Sequence, residues 1–217
     1  MRLFTSARRS SRALLALFCL VMMVSATICA TVSEAMASDV AGYAFVDPNQ
    51  EVPQDLLRPA LIFFELNKEK ISNREYLTIV DFSQRSSEHR FFIVNMNSGK
   101  VWSTTVAHGK GSDVNHDGYA TVFSNSFNSD ASSLGFFLTA EIYNGHHGRS
   151  LALDGLSATN SNVRARAVVI HGADYVSDAN VIQGRSFGCF ALPMNERSRV
   201  IDMLKNGSLI YAGLSQK

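Results

Sequence analysis

Cysteine is nearly absent from this chain: three occur in 217 residues, and two of them, Cys19 and Cys29, fall in an apolar leader. That scarcity excludes a disulfide framework. A zinc site built on the remaining Cys189 with His171 would need a third ligand, and no CxxC or HxH spacing supplies one. Charge is also sparse, with 18% charged residues and a formal net charge of +1. A nucleic-acid binder or a polyelectrolyte tail is therefore not indicated. Internal repeats and low-complexity tracts are missing beyond the leader, which removes solenoids and disordered linkers from consideration.

What is present begins with an export pattern. Arg2, Arg8, Arg9 and Arg12 precede an apolar stretch over residues 13–30, and Ala35-Met36-Ala37 then places small residues two apart. This predicts a signal peptide over residues 1–37, cleaved after Ala37, in preference to a retained membrane anchor. Ala26-Thr27-Ile28 lacks the small residue a lipid-modified Cys29 needs, and Ser10-Ser11-Arg12 lacks the apolar residues of a twin-arginine signal. Cleavage removes four Arg and Glu34, leaving a net charge of about −2 and Cys189 as the lone thiol. An unpaired thiol in an oxidising compartment is a candidate reactive group, with a buried structural cysteine as the alternative.

The remaining length suits one domain. Residues 38–53 read as a poorly structured lead-in, and residues 54–217 as the domain itself. Leu57, Leu61, Phe64 and Ile71 fit one face of a helix over 54–70, with Pro59 tolerable only in its first turn. Strands are predicted over 76–82, 90–95, 100–107, 136–143, 167–171 and 208–212, with a hairpin at Asn97-Ser98-Gly99. A second helix over 195–205 carries Val200, Ile201 and Leu204 on one face and stops at Asn206-Gly207. The fold class is mainly β, with a few peripheral helices.

The chemistry concentrates between Ala167 and Leu192. Val168, Val169 and Ile170 are apolar enough for a buried strand that delivers His171 at its end, where Gly172 turns the chain. Gly184, Ser186 and Gly188 then loosen the backbone before Cys189. Such a loop presents a thiol to an imidazole and aims backbone N–H groups at the space before the sulfur, as acyl transfer requires.

His171-Gly172 followed after fourteen residues by Ser186-x-Gly188-Cys189 resembles the signature of the L,D-transpeptidase catalytic domain (YkuD-like) family. Tyr76-Leu77-Thr78-Ile79-Val80-Asp81-Phe82, Val106-Ala107-His108-Gly109-Lys110-Gly111, Ser133-Leu134-Gly135-Phe136 and Gly184-Arg185-Ser186 extend the likeness over roughly residues 53–214. The resemblance implies an L,D-transpeptidase-like β-sandwich or barrel. It makes Cys189 the nucleophile, His171 the base, and the Gly172 carbonyl the group that orients the imidazole. Ser186 supports the loop, and the N–H groups of Phe187, Gly188 and Cys189 are candidates for the oxyanion hole.

Two positions depart from the family pattern. Phe187 stands where many members have His, and Ala191 where many have Arg or Asn, so the substrate-carboxylate contact passes to Arg185 as the nearest candidate. Tyr143 and His147 are further candidates for substrate binding. The implied reaction is thioester formation on the stem peptide of peptidoglycan with loss of D-alanine, and passage of the acyl group to an amine. Water, or a lysine of a wall-linked lipoprotein, is the alternative acceptor, and an inactive wall-binding module the alternative class. The implied location is the periplasm or cell envelope, with no metal or organic cofactor, no nucleic-acid partner and no stable membrane span after cleavage.

Asp113-Val114-Asn115-His116-Asp117-Gly118 reproduces the first half of a calcium loop, but Ser124 stands where the bidentate Glu belongs. It reads as a solvated polar turn. His108 reads as a turn histidine or a second support of the site.

Overall fold

A computed structural model of the protein describes residues 41–216; the expected signal peptide lies outside them. In the lead-in a buried carboxylate organises residues 47–54. Asp47 accepts hydrogen bonds from the Glu51 and Val52 amides and from Gln54 Nε2, while Val46 and Val52 are buried.

Helix α1 follows at Gln54–Leu66, shorter than the expected span because residues 68–70 form a separate 3₁₀ turn. Its buried residues Leu56, Leu57, Ala60, Leu61 and Phe64 recur at helical spacing, and each large one contributes about 1.5–3 kcal/mol by leaving water. Pro59 lies inside the helix, beyond the first turn in which it was expected.

Eight strands make one sheet: β1 (Tyr76–Asp81), β2 (Phe91–Asn95), β3 (Val101–Thr104), β4 (Gly135–Gly145), β5 (Gly148–Gly155), β6 (Val169–Ala173), β7 (Phe190–Pro193) and β8 (Leu209–Gly213). Their spatial order is β3-β2-β1-β8-β4-β5-β6-β7. The β1–β8 and β6–β7 pairs are parallel and the others antiparallel. Helix α1 packs on β1 and β8, and helix α2 (Arg197–Leu204) packs on β5 and β6. The fold is therefore mainly β with two α-helices among the described residues, as read from the sequence.

Strands β5 and β7 had not been expected. β7 is four residues long, ends in Pro193, and is fully buried, so neither alternation nor length marks it. The chain leaving β3 meets it through an antiparallel bridge between Ala107 and Ala191, which draws the two ends of the sheet together beside Cys189. Phe190 anchors this junction in the core, with its ring centroid 5.9 Å from Phe82 and 5.3 Å from Phe137. The sulfur-bearing loop thus emerges directly from packed aromatic core. No helix of the described residues is long and apolar enough to cross a membrane.

Candidate active site

Strand β6 carries His171, and β7 begins one residue after Cys189. Their parallel register sets Ile170 opposite Phe190 and His171 opposite Ala191, which puts Cys189 beside Val169. Val169 and His171 are two positions apart on β6, so the register puts the thiol and the imidazole on the same side of the pair.

The His171 ring is buried, and its Nδ1 lies 3.0 Å from the Gly172 carbonyl oxygen. A carbonyl only accepts, so Nδ1 carries the proton and Nε2 holds the free lone pair. His147 stacks on this ring, with centroids 4.1 Å apart and planes 19° apart. Burial pushes the His171 pKa below the ordinary histidine value; the Gly172 bond opposes this and proximity to His147 adds to it. The imidazole is therefore neutral at neutral pH and able to accept a proton at Nε2. Gly172 has to be small, because a Cβ there would stand 2.8 Å from Met194 Sδ and 2.9 Å from Arg197 Cδ.

Ser186 organises the loop before the thiol. Its Oγ donates to the Cys189 carbonyl at 2.7 Å and accepts the Gly188 N–H at 3.1 Å. Gly188 adopts a φ of 113°, which L side chains rarely reach, and a Cβ there would lie 2.7 Å from the Ala131 carbonyl oxygen. Because the Gly188 amide is engaged by Ser186, the expected set of oxyanion donors narrows to the Phe187 and Cys189 amides.

Cys189 is partly buried and is the only free cysteine among the described residues. Its Sγ donates to the Ala167 carbonyl at 3.6 Å, and Ala167 turns that carbonyl toward it with a φ of 53°. Burial pushes the thiol pKa up, against the pull of the Val169 amide and the nearby Arg166 cation. The resting pair is thus a neutral thiol and a neutral imidazole. Arg166 is held by the carbonyls of Ser124 and Ala131 and the hydroxyls of Ser129 and Ser133, at 2.7, 2.6, 3.2 and 2.8 Å. Sequence reasoning had missed this residue, since nothing in Arg164-Ala165-Arg166 distinguishes one arginine from the other.

A cavity of about 320 Å³ adjoins the end of β6, lined by His146, His147, Gly172, Asp174, Tyr175 and Met194 among others. Burial and the neighbouring Cys189 push the Tyr175 hydroxyl up to about 12. His147 is brought to the site; Tyr143 is 40% exposed on the same hairpin and does not line the cavity. Arg185, expected at the substrate, donates through Nη1 to the Asp113 and Val114 carbonyls. Ala191 is wholly buried between β6 and the Ala107 bridge, where no long side chain fits.

The calcium-like turn holds its own hydrogen bonds. Asp113 Oδ1 accepts the Asp117 amide and Oδ2 the Gly118 amide, and Oδ2 also lies 3.1 Å from His108 Nε2. No cluster of three or more His, Cys, Asp or Glu groups suited to a metal ion occurs among the described residues.

A mainly β sheet thus carries His171 on β6, with Nδ1 on its neighbouring carbonyl, and Cys189 just before the adjoining β7. The model of the L,D-transpeptidase catalytic domain family matches residues 48–212, and the chain belongs to that family. No curated protein matches it. Among solved structures it is similar to an L,D-transpeptidase from Mycobacterium smegmatis, with 14% identity, a TM-score of 0.40, and coverage of 64% of this chain and 58% of that one. For the helical cell shape determining protein Pgp2 from Campylobacter jejuni the values are 11%, 0.41, 68% and 50%. For an L,D-transpeptidase from Stackebrandtia nassauensis they are 12%, 0.42, 79% and 73%. The chain spans less than two thirds of the length of the first two.

Proposed function

We propose that this protein is an exported peptidoglycan L,D-transpeptidase acting in the cell envelope, with Cys189 as nucleophile and His171 as base. The observation that carries the reading is the hydrogen bond from His171 Nδ1–H to the Gly172 carbonyl, which leaves on Nε2 the lone pair that a base needs. Membership of the family supplies the substrate class, the stem peptide of peptidoglycan.

In this reading the thiol leaves its contact with Ala167 and passes its proton to His171 Nε2 as the sulfur attacks the carbonyl of the third stem residue, at its L-centre. The Phe187 and Cys189 amides receive the developing oxyanion. Collapse expels D-alanine, which takes the proton from His171, and leaves a thioester on Cys189. An amine of a second stem then attacks the thioester, giving a cross-link and restoring the thiol. Neutrality of both partners at rest favours proton transfer in step with attack over a standing thiolate–imidazolium pair. A wall-linked lipoprotein lysine or water would enter as the acceptor at the same point.

The test is incubation of the protein and its Cys189→Ala variant with a disaccharide tetrapeptide, with products identified by mass. Cross-linked dimers lacking D-alanine, formed by the wild type only, are expected. Tripeptide alone would make it an L,D-carboxypeptidase. An equal product pattern from the alanine variant would overturn the mechanism.

A further inference from the structure

The Asp113 turn and the catalytic loop are linked through a buried chain of polar groups that the reaction itself does not use. Arg90 is wholly buried, and its Nη2 approaches His108 Nδ1 at 2.7 Å while also donating to the Val106 carbonyl at 2.8 Å. Its Nη1 donates to the Gln84 carbonyl at 2.8 Å. Burial pushes the guanidinium down to about 9, so it remains a cation at neutral pH and can only donate. His108 Nδ1 is therefore an acceptor, and Nε2–H donates to Asp113 at 3.1 Å. Arg90, His108 and Asp113 form a line of cation, neutral relay and anion, each at most 1% exposed. Burying two charges at this depth requires such pairing.

The line ends on the backbone that carries the thiol. The His108 carbonyl accepts the Ser186 amide at 2.8 Å, and the Lys110 amide donates to the Ser186 carbonyl at 2.8 Å. The Ala107 amide donates to the Ala191 carbonyl at 2.9 Å. Ser186 is thus clamped on both sides of its own peptide, and its hydroxyl in turn holds Gly188 and Cys189. From the turn itself, Arg185 grips the Asp113 and Val114 carbonyls, and His116 Nε2 lies 3.0 Å from the Gln183 carbonyl.

We propose that the Arg90–His108–Asp113 line, with Arg185 as its outer tie, is a positioning device that fixes the Ser186–Cys189 loop through the Ser186 peptide. The proposal rests on the reading of Cys189 as the nucleophile.

Its test uses the full chain with Arg185→Met and Arg185→Lys, which leave the buried line intact, together with Asp113→Asn. Circular dichroism at the assay temperature establishes that each variant is folded. Turnover of the tetrapeptide and the rate of iodoacetamide alkylation of Cys189 are then measured. Misplacing the loop is expected to lower kcat of Arg185→Met by about tenfold or more, with KM changed by less than about twofold. Alkylation is expected to accelerate, because a loosened loop exposes a sulfur that burial holds back. Arg185→Lys should return both values toward those of the wild type, and Asp113→Asn should behave as Arg185→Met. An alkylation rate equal to that of the wild type in folded Arg185→Met overturns the proposal, as does a rise in KM with kcat unchanged, which would make Arg185 a substrate contact. Alkylation needs no stem peptide, so a wild-type chain inactive on the tetrapeptide would count against the proposed reaction and leave this readout standing.

Discussion

His147 lies flat against His171, ring on ring at 4.1 Å, so a residue at a hairpin tip covers the face of the candidate base. Removing it in His147→Ala admits water to that face and deletes a charge neighbour that depresses the His171 pKa. The His171 pKa should rise toward its ordinary value, and the acid limb of kcat/KM should move to higher pH with it. Ring-proton NMR titration of the two proteins checks the shift directly, and an unchanged His171 titration would remove His147 from any electrostatic role.

Cys189→Ala should abolish turnover while leaving the thermal midpoint within a few degrees of the wild type, since the side chain is small and partly buried. A carbapenem should add its mass to the wild type and not to the variant, measured on the intact protein. An adduct on Cys189→Ala would place the reactive group elsewhere.

Gly188→Ala forces an L side chain into a φ of 113° and drives its Cβ toward the Ala131 carbonyl. A cost of about 1–3 kcal/mol in stability is expected from the backbone alone. Because the strain sits next to the proposed nucleophile, kcat should fall more than the stability loss explains. Urea unfolding and steady-state kinetics on the same preparation separate the two effects.

Arg166→Met removes the cation that pulls the Cys189 thiol down against its burial. The thiol pKa should rise further, and the alkylation-versus-pH curve should move to higher pH. Since Arg166 also joins four groups around residues 124–133, a small loss of thermal stability should accompany it.

Folding stability should weaken in mild acid. His108 is pushed down to about 4, first by burial and then by the Arg90 charge, and His171 is lowered as well. The unfolded chain takes up protons near pH 6.5, where both buried rings stay neutral. Their contribution is present in full above that pH and is lost as pH falls from about 6.5 toward 4, at an order of 3 kcal/mol for His108. Denaturant midpoints recorded across that window should fall, and fall less steeply in His108→Gln.

Much of the β architecture was legible because β-branched and aromatic runs bounded by turn residues mark strands such as β1 to β3, even where, as in β1 and β2, the strand is almost wholly buried. Strand β7 was hidden by its four residues and complete burial, and β5 by an apolar text that reads equally well as loop. Asp47 was illegible for a different reason, since an acidic residue in a mixed segment looks solvated until its amide partners are known. The two backbone carbonyls that Arg185 Nη1 meets were illegible too, because they lie some seventy positions away in the chain.

The sequence by itself determined the chemistry that is local: a histidine at a strand end followed by Gly172, a Ser186-x-Gly188-Cys189 loop of suitable spacing, and the family that owns that pattern. Only the tertiary structure decided which distant groups serve it. Arg166 beside the thiol, His147 on the imidazole, and the Arg90–His108–Asp113 line behind Ser186 all join residues separated by up to about a hundred positions. Strand pairing far apart in the chain, β5 on β6 and Ala107 on Ala191, brings these groups together, and burial then compels the enclosed charges to pair in ways no local pattern encodes.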